Sequence, residues 1–418
     1  MNPDADTAGT DGDSTPRLKR ALSLPLVVCY GLGTTIGAGI YALIGEIAAV
    51  AGYGAPLSFL LASIVAAFTA CSFAELAGRY PRAAGAALYV QQGLGSVRLA
   101  TAVGLLVVLS GLVSSAALVN AFYGYLGEFV ALDRTIAIVA VCVVLGGIAA
   151  WGIVESVAIA ALITLVEVGG LLVVIVLGAD TLPTLAIRWT EFVPAPDAVT
   201  ATAVASGVVL AFYAFIGFED MVDIAEEVKD VRRTLPRAIV ATLALSSLLY
   251  LTLITAALLQ LKPDDNAATG APMAALYQAA TGREPVFISL VALFAVINGA
   301  LIQVVMVARV LYGLSSRRQL PRWFSRLNRR TRTPLPATVF ATGALLVLAL
   351  FGRLAGLATA TSVIVLSMFT VVNVALWRLK RRGIEAPPAG VSFPAAVPLL
   401  GAGLSAALVV HQLGVVLR

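Results

Sequence analysis

Two short stretches place glycines and carboxylates where an apolar segment would ordinarily hold neither. GTTIGAGIY, residues 33–41, sets Gly33, Gly37 and Gly39 inside a long hydrophobic run, and FYAFIGFED, residues 212–220, sets Gly217 two positions ahead of Glu219 in another. A third run carries a lone acid, Glu167, in TLVEVGG. Glycine weakens a helix interior by roughly 1 kcal/mol relative to alanine, so these clusters mark places where a helix can unwind. Unwound backbone in an apolar setting offers free amides and carbonyls as ligands, and a half-helix beginning there presents a partly positive N-terminus. Glycine also lets a bound molecule approach the main chain. This is binding chemistry rather than covalent chemistry. The sequence has no metal-ligand cluster, nucleophile elbow or phosphate loop, so no enzyme, metal site or cofactor is expected. The rival use of the same glycines is close helix packing, common for small residues in membranes; the matching break in the second stretch favours the binding reading.

Such stretches need helices that live in lipid. Of 418 residues, 60% are hydrophobic and 12% charged, about half the charged share of ~25% usual in soluble domains. Apolar runs long enough to cross a ~30 Å hydrocarbon core cover 22–44, 56–77, 99–122, 135–154, 157–178, 201–224, 238–259, 286–312, 335–351, 354–377 and 392–415. They are too long and continuous for barrel strands, and a helix satisfies its own backbone where lipid cannot. The expected fold class is therefore an all-α integral membrane protein with about 11 transmembrane helices; Pro394 and Pro398 interrupt the start of the last one. No loop is long enough for a second soluble domain, so residues 21–418 read as one transmembrane domain. The polar, acidic tail 1–20 is expected to be disordered and cytoplasmic, and its lack of a basic start is unlike a signal peptide, so the first helix should be retained. The loop 260–285 contains APMAALYQAATG, expected as a short amphipathic helix, and the basic loop 313–334, with Trp323 and Phe324, suits the headgroup region.

Lys and Arg resist translocation, and with the N-terminus cytoplasmic most of the 28 fall on the inner side. The net charge of +5 then belongs to topology, and nucleic acid is not an expected partner. Cys29, Cys71 and Cys142 lie singly in separate runs, without disulfide or metal spacing.

Runs 1 and 6 are the interrupted ones. Lying five helices apart, they enter the membrane from opposite sides, and Ile36-Gly37 and Ile216-Gly217 sit at similar depths from each entry. That is the pattern of a five-plus-five inverted repeat, 22–178 and 201–377 with 392–415 as an additional helix, whose binding site lies where the two broken helices meet.

GLGTTIGAGIYALIG (31–45), SFAELAGRYPRAAGAALYV (72–90), AFYAFIGFEDMVDIAEEVKDVRRTLPRAI (211–239) and ARVLYGLSSRRQLP (308–321) resemble the amino acid-polyamine-organocation (APC) permeases, in order and spacing, through helices 1 to 10. The resemblance implies a leucine-transporter-type fold with broken helices 1 and 6, in which helices 1, 2, 6 and 7 rock against 3, 4, 8 and 9. It places a substrate α-carboxylate on Gly37, Ala38 and Gly39. The α-amino group then meets carbonyls of the unwound part of helix 6, at Tyr213, Ile216 and Gly217, and of Ile36. Either Tyr213 or Phe215 matches the aromatic gate, while Phe212 and Phe218 are expected to be ordinary packing residues.

Acids inside a membrane cost ~2.5 kcal/mol or more and default to function. Several proton-coupled relatives have Lys near the place of Glu167, and this chain departs from them. Glu167 is expected either as a titrating carboxylate or as a structural hydrogen-bonding group beside helix 1 or 8. Glu219 matches an acid common in the family after the helix 6 break, and either couples protonation to gating or caps freed amides. Asp220, Asp223, Glu226 and Glu227 are read as running on toward the cytoplasm, Glu226, Glu227 and Lys229 as inner-gate or solvated loop residues, and Glu75 with Arg79 as a structural i,i+4 pair. Asn298 and Gln303 are expected to bond across helices or line the site; His411 has no assigned role. In helix 8 the stretch VVMVARVLYG offers no Ser or Thr hydroxyl before Ser315, which disfavours sodium. The expected function is a secondary transporter of amino acids in the plasma membrane, a proton-coupled symporter or else an exchanger or uniporter for amino acids, polyamines or amines. A non-transporting receptor or membrane enzyme is the alternative from another class. The substrate's side chain and the oligomeric state are not set by the sequence.

Overall fold

The computed structural model describes residues 21–36, 39–81, 85–151, 157–263, 270–384, 386–387 and 390–417. The first apolar run forms α1, Leu24–Ile36, and α2, Gly39–Ala51; a short turn leads into α3, Ala55–Arg79. There follow α4 (Gly85–Leu94), α5 (Val97–Leu126), α6 (Arg134–Trp151), α7 (Val157–Leu177) and the four-residue α8 (Leu185–Arg188) between 3-10 turns. The sixth run gives α9, Ala198–Phe212, then 3-10 segments, and α10 spans Val231–Gln260. The remainder is α11 (Pro272–Thr281), α12 (Val286–Ser316), α13 (Leu335–Phe351), α14 (Leu354–Arg381) and α15 (Ala396–Val416).

Every apolar run read from the sequence contains helix. Among the described residues, eight helices are long and apolar enough to cross a membrane, or nine if the bent pair Ala161–Leu177 and Ala179–Phe192 is one span. In that count α2 and α3 run together, while α1 and α13 are shorter apolar helices. Large hydrophobic side chains such as Ile64, Leu162, Phe294 and Phe351 stand on the outside of the bundle, as in a protein whose solvent is lipid. The molecule is a multi-pass helical membrane protein. Its expected amphipathic helix in APMAALYQAATG is α11, which lies against α2, α7 and α12. In the basic loop, Trp323 and Phe324 stack at 3.9 Å, and Phe324 turns in against Phe340.

Buried polar contacts hold the helices in register. Asn373 on α14 accepts from Ser72 at 2.6 Å and donates to Thr69 at 2.9 Å on α3. Arg134, at the start of α6, donates to the carbonyls of Ala349, Leu350 and Gly352 that end α13, where cationic groups complement a helix C-terminus. At the basic end of the bundle Leu22 pairs with Val228 in an isolated parallel bridge. The Glu227 carbonyl accepts from the amides of Ala21 and Leu22, and Lys229 N–H donates to the Leu22 carbonyl. The acidic loop read as an inner gate therefore binds the chain entering α1 through its backbone.

Candidate functional site

The break in the sixth run is sharp. After α9 ends at Phe212, Tyr213–Phe215 make one 3-10 turn. Ile216 is extended, and Gly217 has φ +123° and ψ −21°, a region that residues with a Cβ rarely adopt. The chain then continues to Glu227 as a 3-10 helix rather than an α-helix.

The first and sixth apolar runs meet backbone to backbone. The Thr34 hydroxyl donates to the Gly217 carbonyl at 3.0 Å, and a Cβ on Gly217 would run into the Thr34 carbonyl. At the start of α2 a Cβ on Gly39 would stand 3.0 Å from Ala214 Cα. The Tyr250 hydroxyl, from α10, shares its proton between the carbonyls of Thr35 (3.0 Å) and Ala214 (2.9 Å), one from each run. Broken helices in lipid need such donors, because freed carbonyls otherwise go unsatisfied. The Glu219 carboxylate accepts from the Gly217 amide at 2.8 Å, which is the capping contact given as one of its two alternatives.

Between these segments and the facing helices α5 and α12 lies a small cavity of about 40 Å³, well below the ~300–1,000 Å³ typical of occupied small-ligand sites. Gly33 to Thr35, Gly39, Tyr213 and Ile216 form one wall. Ser114 and Leu118 of α5 and Gly299, Ile302 and Gln303 of α12 form the other, and Asp220 joins the lining from the 3-10 helix. Tyr213 and Ser114 hydrogen-bond through their hydroxyls at 2.8 Å. Together with Leu118 they are buried, whereas Asp220, Gln303 and Ile302 are half-buried. Nearer α11 the Tyr125 hydroxyl donates to the Tyr41 carbonyl (2.7 Å) and accepts from Met273 N–H of α11 (3.3 Å).

Of the residues read as substrate contacts, Gly39, Tyr213 and Ile216 line this cavity, while Gly37 and Ala38 lie outside the described residues. Ile36 is fully buried beside it, and Gly217 faces Thr34. The two gate candidates part company. Tyr213 lines the cavity, whereas Phe215 packs edge-on against Phe59 and Tyr250. Phe212 and Phe218 pack against Phe369. Glu167 is 1% exposed, outside the cavity lining. Its main-chain carbonyl accepts from the Tyr41 hydroxyl at 2.5 Å, and its carboxylate is within electrostatic reach of the Tyr41 and Tyr250 hydroxyls. Gln303 lines the site and Asn298 does not.

Asp220 lines the cavity, a place the sequence reading did not assign to it. It follows Gly217 by three residues at the start of a 3-10 segment, whose positions i and i+3 share one face; the Asp220 amide bonds to the Gly217 carbonyl at 3.1 Å, and the residue is part of the cavity lining. No signal in the sequence marks the 3-10 segment. Ser114 and Leu118 were missed because α5 is apolar on nearly every face.

The fold defines a multi-pass helical membrane protein with a small cavity between its first and sixth apolar runs. The amino acid permease family profile matches residues 22–414, and the chain belongs to this family, within the APC superfamily that its motifs resemble. It is similar to the vacuolar cationic amino acid transporter 4 of Arabidopsis thaliana, 30% identical over 410 residues, covering 91% of this chain and 66% of the relative. It also resembles the mitochondrial cationic amino acid transporter 3 of the same plant, at 28% over 406 residues, 91% and 65%. The branched-chain amino acid permease BcaP of Bacillus subtilis is 26% identical over 407 residues, 91% and 85%. The chain spans just under two thirds of the length of those plant relatives. The family and these relatives are named as permeases and transporters, not as enzymes.

Proposed function

We propose that the chain is a secondary transporter that carries amino acids across the plasma membrane by alternating access, in symport with protons. The observation that carries this reading is the close approach of the end of α1 to the break in the sixth run, Thr34 against Gly217, beside a small cavity lined by both. A site at the midplane between discontinuous helices is how inverted-repeat transporters bind their cargo. On this reading the fold is the leucine-transporter type, eleven spans in one domain 21–418 with the N-terminus in the cytoplasm. The N-terminus of α2 at Gly39 faces the α-carboxylate, where helix-end amides favour negative charge. Carbonyls near Tyr213 and Ile216 receive the α-ammonium group. Glu167 and Glu219 carry the proton coupling, and Tyr213 is the gate, through its bond to Ser114.

The test is uptake of labelled amino acids into proteoliposomes under an inward proton gradient, a sodium gradient, or neither. Concentrative uptake with protons alone is the expected result. Uptake only into vesicles preloaded with amino acid would replace symport by exchange, and no flux from folded protein would overturn the transport reading.

A further inference from the structure

Seven arginines lie between residues 317 and 332, in a loop that holds no Asp or Glu from Gly313 to Pro334. All seven are exposed, and among the described residues none of them is in an ion pair. The same loop exposes Trp323 and Leu327. We propose that it is a docking surface for anionic phospholipids, its arginines binding the lipid phosphates while Trp323 and Leu327 enter the boundary between headgroups and acyl chains.

Three observations support this assignment. The loop is built from fixed turns. Ser315 donates to the Pro321 carbonyl at 2.8 Å, the Asn328 amide donates to the Thr333 carbonyl at 2.9 Å, and the Thr333 hydroxyl donates to the Ala150 carbonyl near the end of α6. Arginines on such a frame lose less freedom on binding a phosphate than arginines on a loose tail. The second observation is that arginine occupies two left-handed positions where a smaller residue is less strained. Arg318, with φ 61°, closes α12: its amide bonds to the Ser315 carbonyl and the Gln319 amide to the Leu314 carbonyl, a cap whose left-handed residue is usually glycine. Arg332 has φ 55°. Backbone strain of this kind collects at ligand clamps, and here it holds guanidinium groups, whose planar fork matches phosphate oxygens in pairs. The third observation joins the charge to lipid-facing surface. Trp323 stacks on Phe324, Phe324 packs edge-on against Phe340, and Phe340 and its neighbour Val339 are exposed on α13. Basic and apolar side chains thus meet at the membrane boundary, the combination that an anionic leaflet attracts. An acidic soluble partner would need the charge alone.

The experiment measures lipid binding to the full chain in detergent by native mass spectrometry, with phosphatidylglycerol and phosphatidylcholine of identical acyl chains. The loop variant combines Arg322→Gln, Arg326→Gln and Arg329→Gln. The control removes three exposed charges elsewhere at the basic end, by Arg232→Gln, Arg237→Gln and Arg382→Gln. Wild-type protein should bind phosphatidylglycerol at least about tenfold more tightly than phosphatidylcholine, the loop variant should lose that preference, and the control should keep it. The preference should also fall as salt rises from about 0.15 M to about 1 M, because exposed charges are screened. An unchanged melting temperature without added lipid shows that the loop variant is folded. Equal wild-type affinity for the two lipids would overturn the proposal. So would equal losses in the loop variant and the control, which would make the attraction a property of total charge. Binding of phosphatidylglycerol only after removal of residues 2–16 would overturn it as well and assign the patch to the acidic N-terminal tail.

Discussion

The hydroxyl of Thr34 donates to the carbonyl of Gly217 across 3.0 Å, joining the end of α1 to the break in the sixth run, 183 residues further along the chain. The contact exists because residue 217 has no side chain. Its φ of +123° and the Thr34 carbonyl directly above its Cα together exclude any Cβ. Gly217→Ala is therefore expected to cost about 3 kcal/mol or more, ~1–3 of it backbone strain, and to cut uptake on the order of 100-fold by displacing the site. Gly147→Ala in α6 has open space around it and should leave thermal stability and uptake unchanged. Comparable melting temperatures for the two variants would show that the close approach is not needed.

A single donor serves the end of α1 and the 3-10 turn before Gly217, and that makes Tyr250 a clean probe of their contact. It is fully buried, outside the cavity lining, and its hydroxyl is shared between Thr35 and Ala214. Tyr250→Phe keeps the ring against Phe59 and Phe215 and leaves two carbonyls without that donor, a loss of ~1–3 kcal/mol. Substrate affinity should change little while the uptake rate falls. A large loss of affinity with an unaltered rate would place the hydroxyl in the binding step.

The break at Gly217 was legible from a glycine followed by acids, which are costly inside a continuous apolar helix; the one expected at Gly37 lies outside the described residues. What escaped the sequence was the local helix type. Asp220, Asp223, Glu226 and Glu227 read as running on toward the cytoplasm, and nothing marked Asp220 as part of the cavity lining, whereas the bond of Glu219 to a freed amide was one of its two readings. Tyr213 and Phe215 could not be told apart for a related reason. One 3-10 turn sends the first toward Ser114 and the second toward Phe59. Glu75 with Arg79 was visible as an i,i+4 pair, but Lys380, in a different helix far along the chain, has no local signature.

If the coupling assignment holds, the two acids respond differently to neutralisation. A glutamine at 219 still offers an acceptor to the Gly217 amide, so Glu219→Gln should fold normally and lose the proton dependence of uptake. A Glu219→Gln variant with an unaltered pH profile would leave the residue as a cap alone. Glu167→Gln, behind the first break, is expected to abolish proton-driven accumulation while still allowing exchange. Full proton-driven accumulation by that variant would remove Glu167 from the coupling path.

Outside the membrane the sign of an acid effect can be worked out at the start of α9. Asp197 accepts from the backbone and hydroxyl of Thr200 at 2.8 Å each. These bonds hold its carboxyl below the ordinary aspartate value of 3.8. A depressed carboxylate contributes stability that is complete above the ordinary value and is lost as pH falls through the depressed one. The difference in melting temperature between wild type and Asp197→Asn should be constant from pH 7 to pH 5 and shrink below about pH 4. A difference that already narrows between pH 7 and pH 5 would mean that another group is responsible.

At the basic end, Glu75 is fully buried and collects two cations. Arg79 donates to it at 3.1 and 2.6 Å, Lys380 lies 2.6 Å away, and the Phe393 amide donates at 2.9 Å. One carboxylate thus fastens α3 to α14 and to the chain entering α15. Removing it leaves two nearly buried cations facing each other, and breaking such a cluster from one side costs ~3–5 kcal/mol. Glu75→Gln should fall by that amount in detergent-solubilised protein. Lys380→Met leaves Arg79 in place to balance the carboxylate and should lose clearly less. In the Glu75→Gln background Lys380→Met should be neutral or stabilising, since it removes a cation that has lost its partner. The double-mutant cycle reads that coupling directly. Additive losses would mean that the two side chains are adjacent without interacting, and that α3 and α14 are held together by their apolar faces and the Asn373 contacts alone.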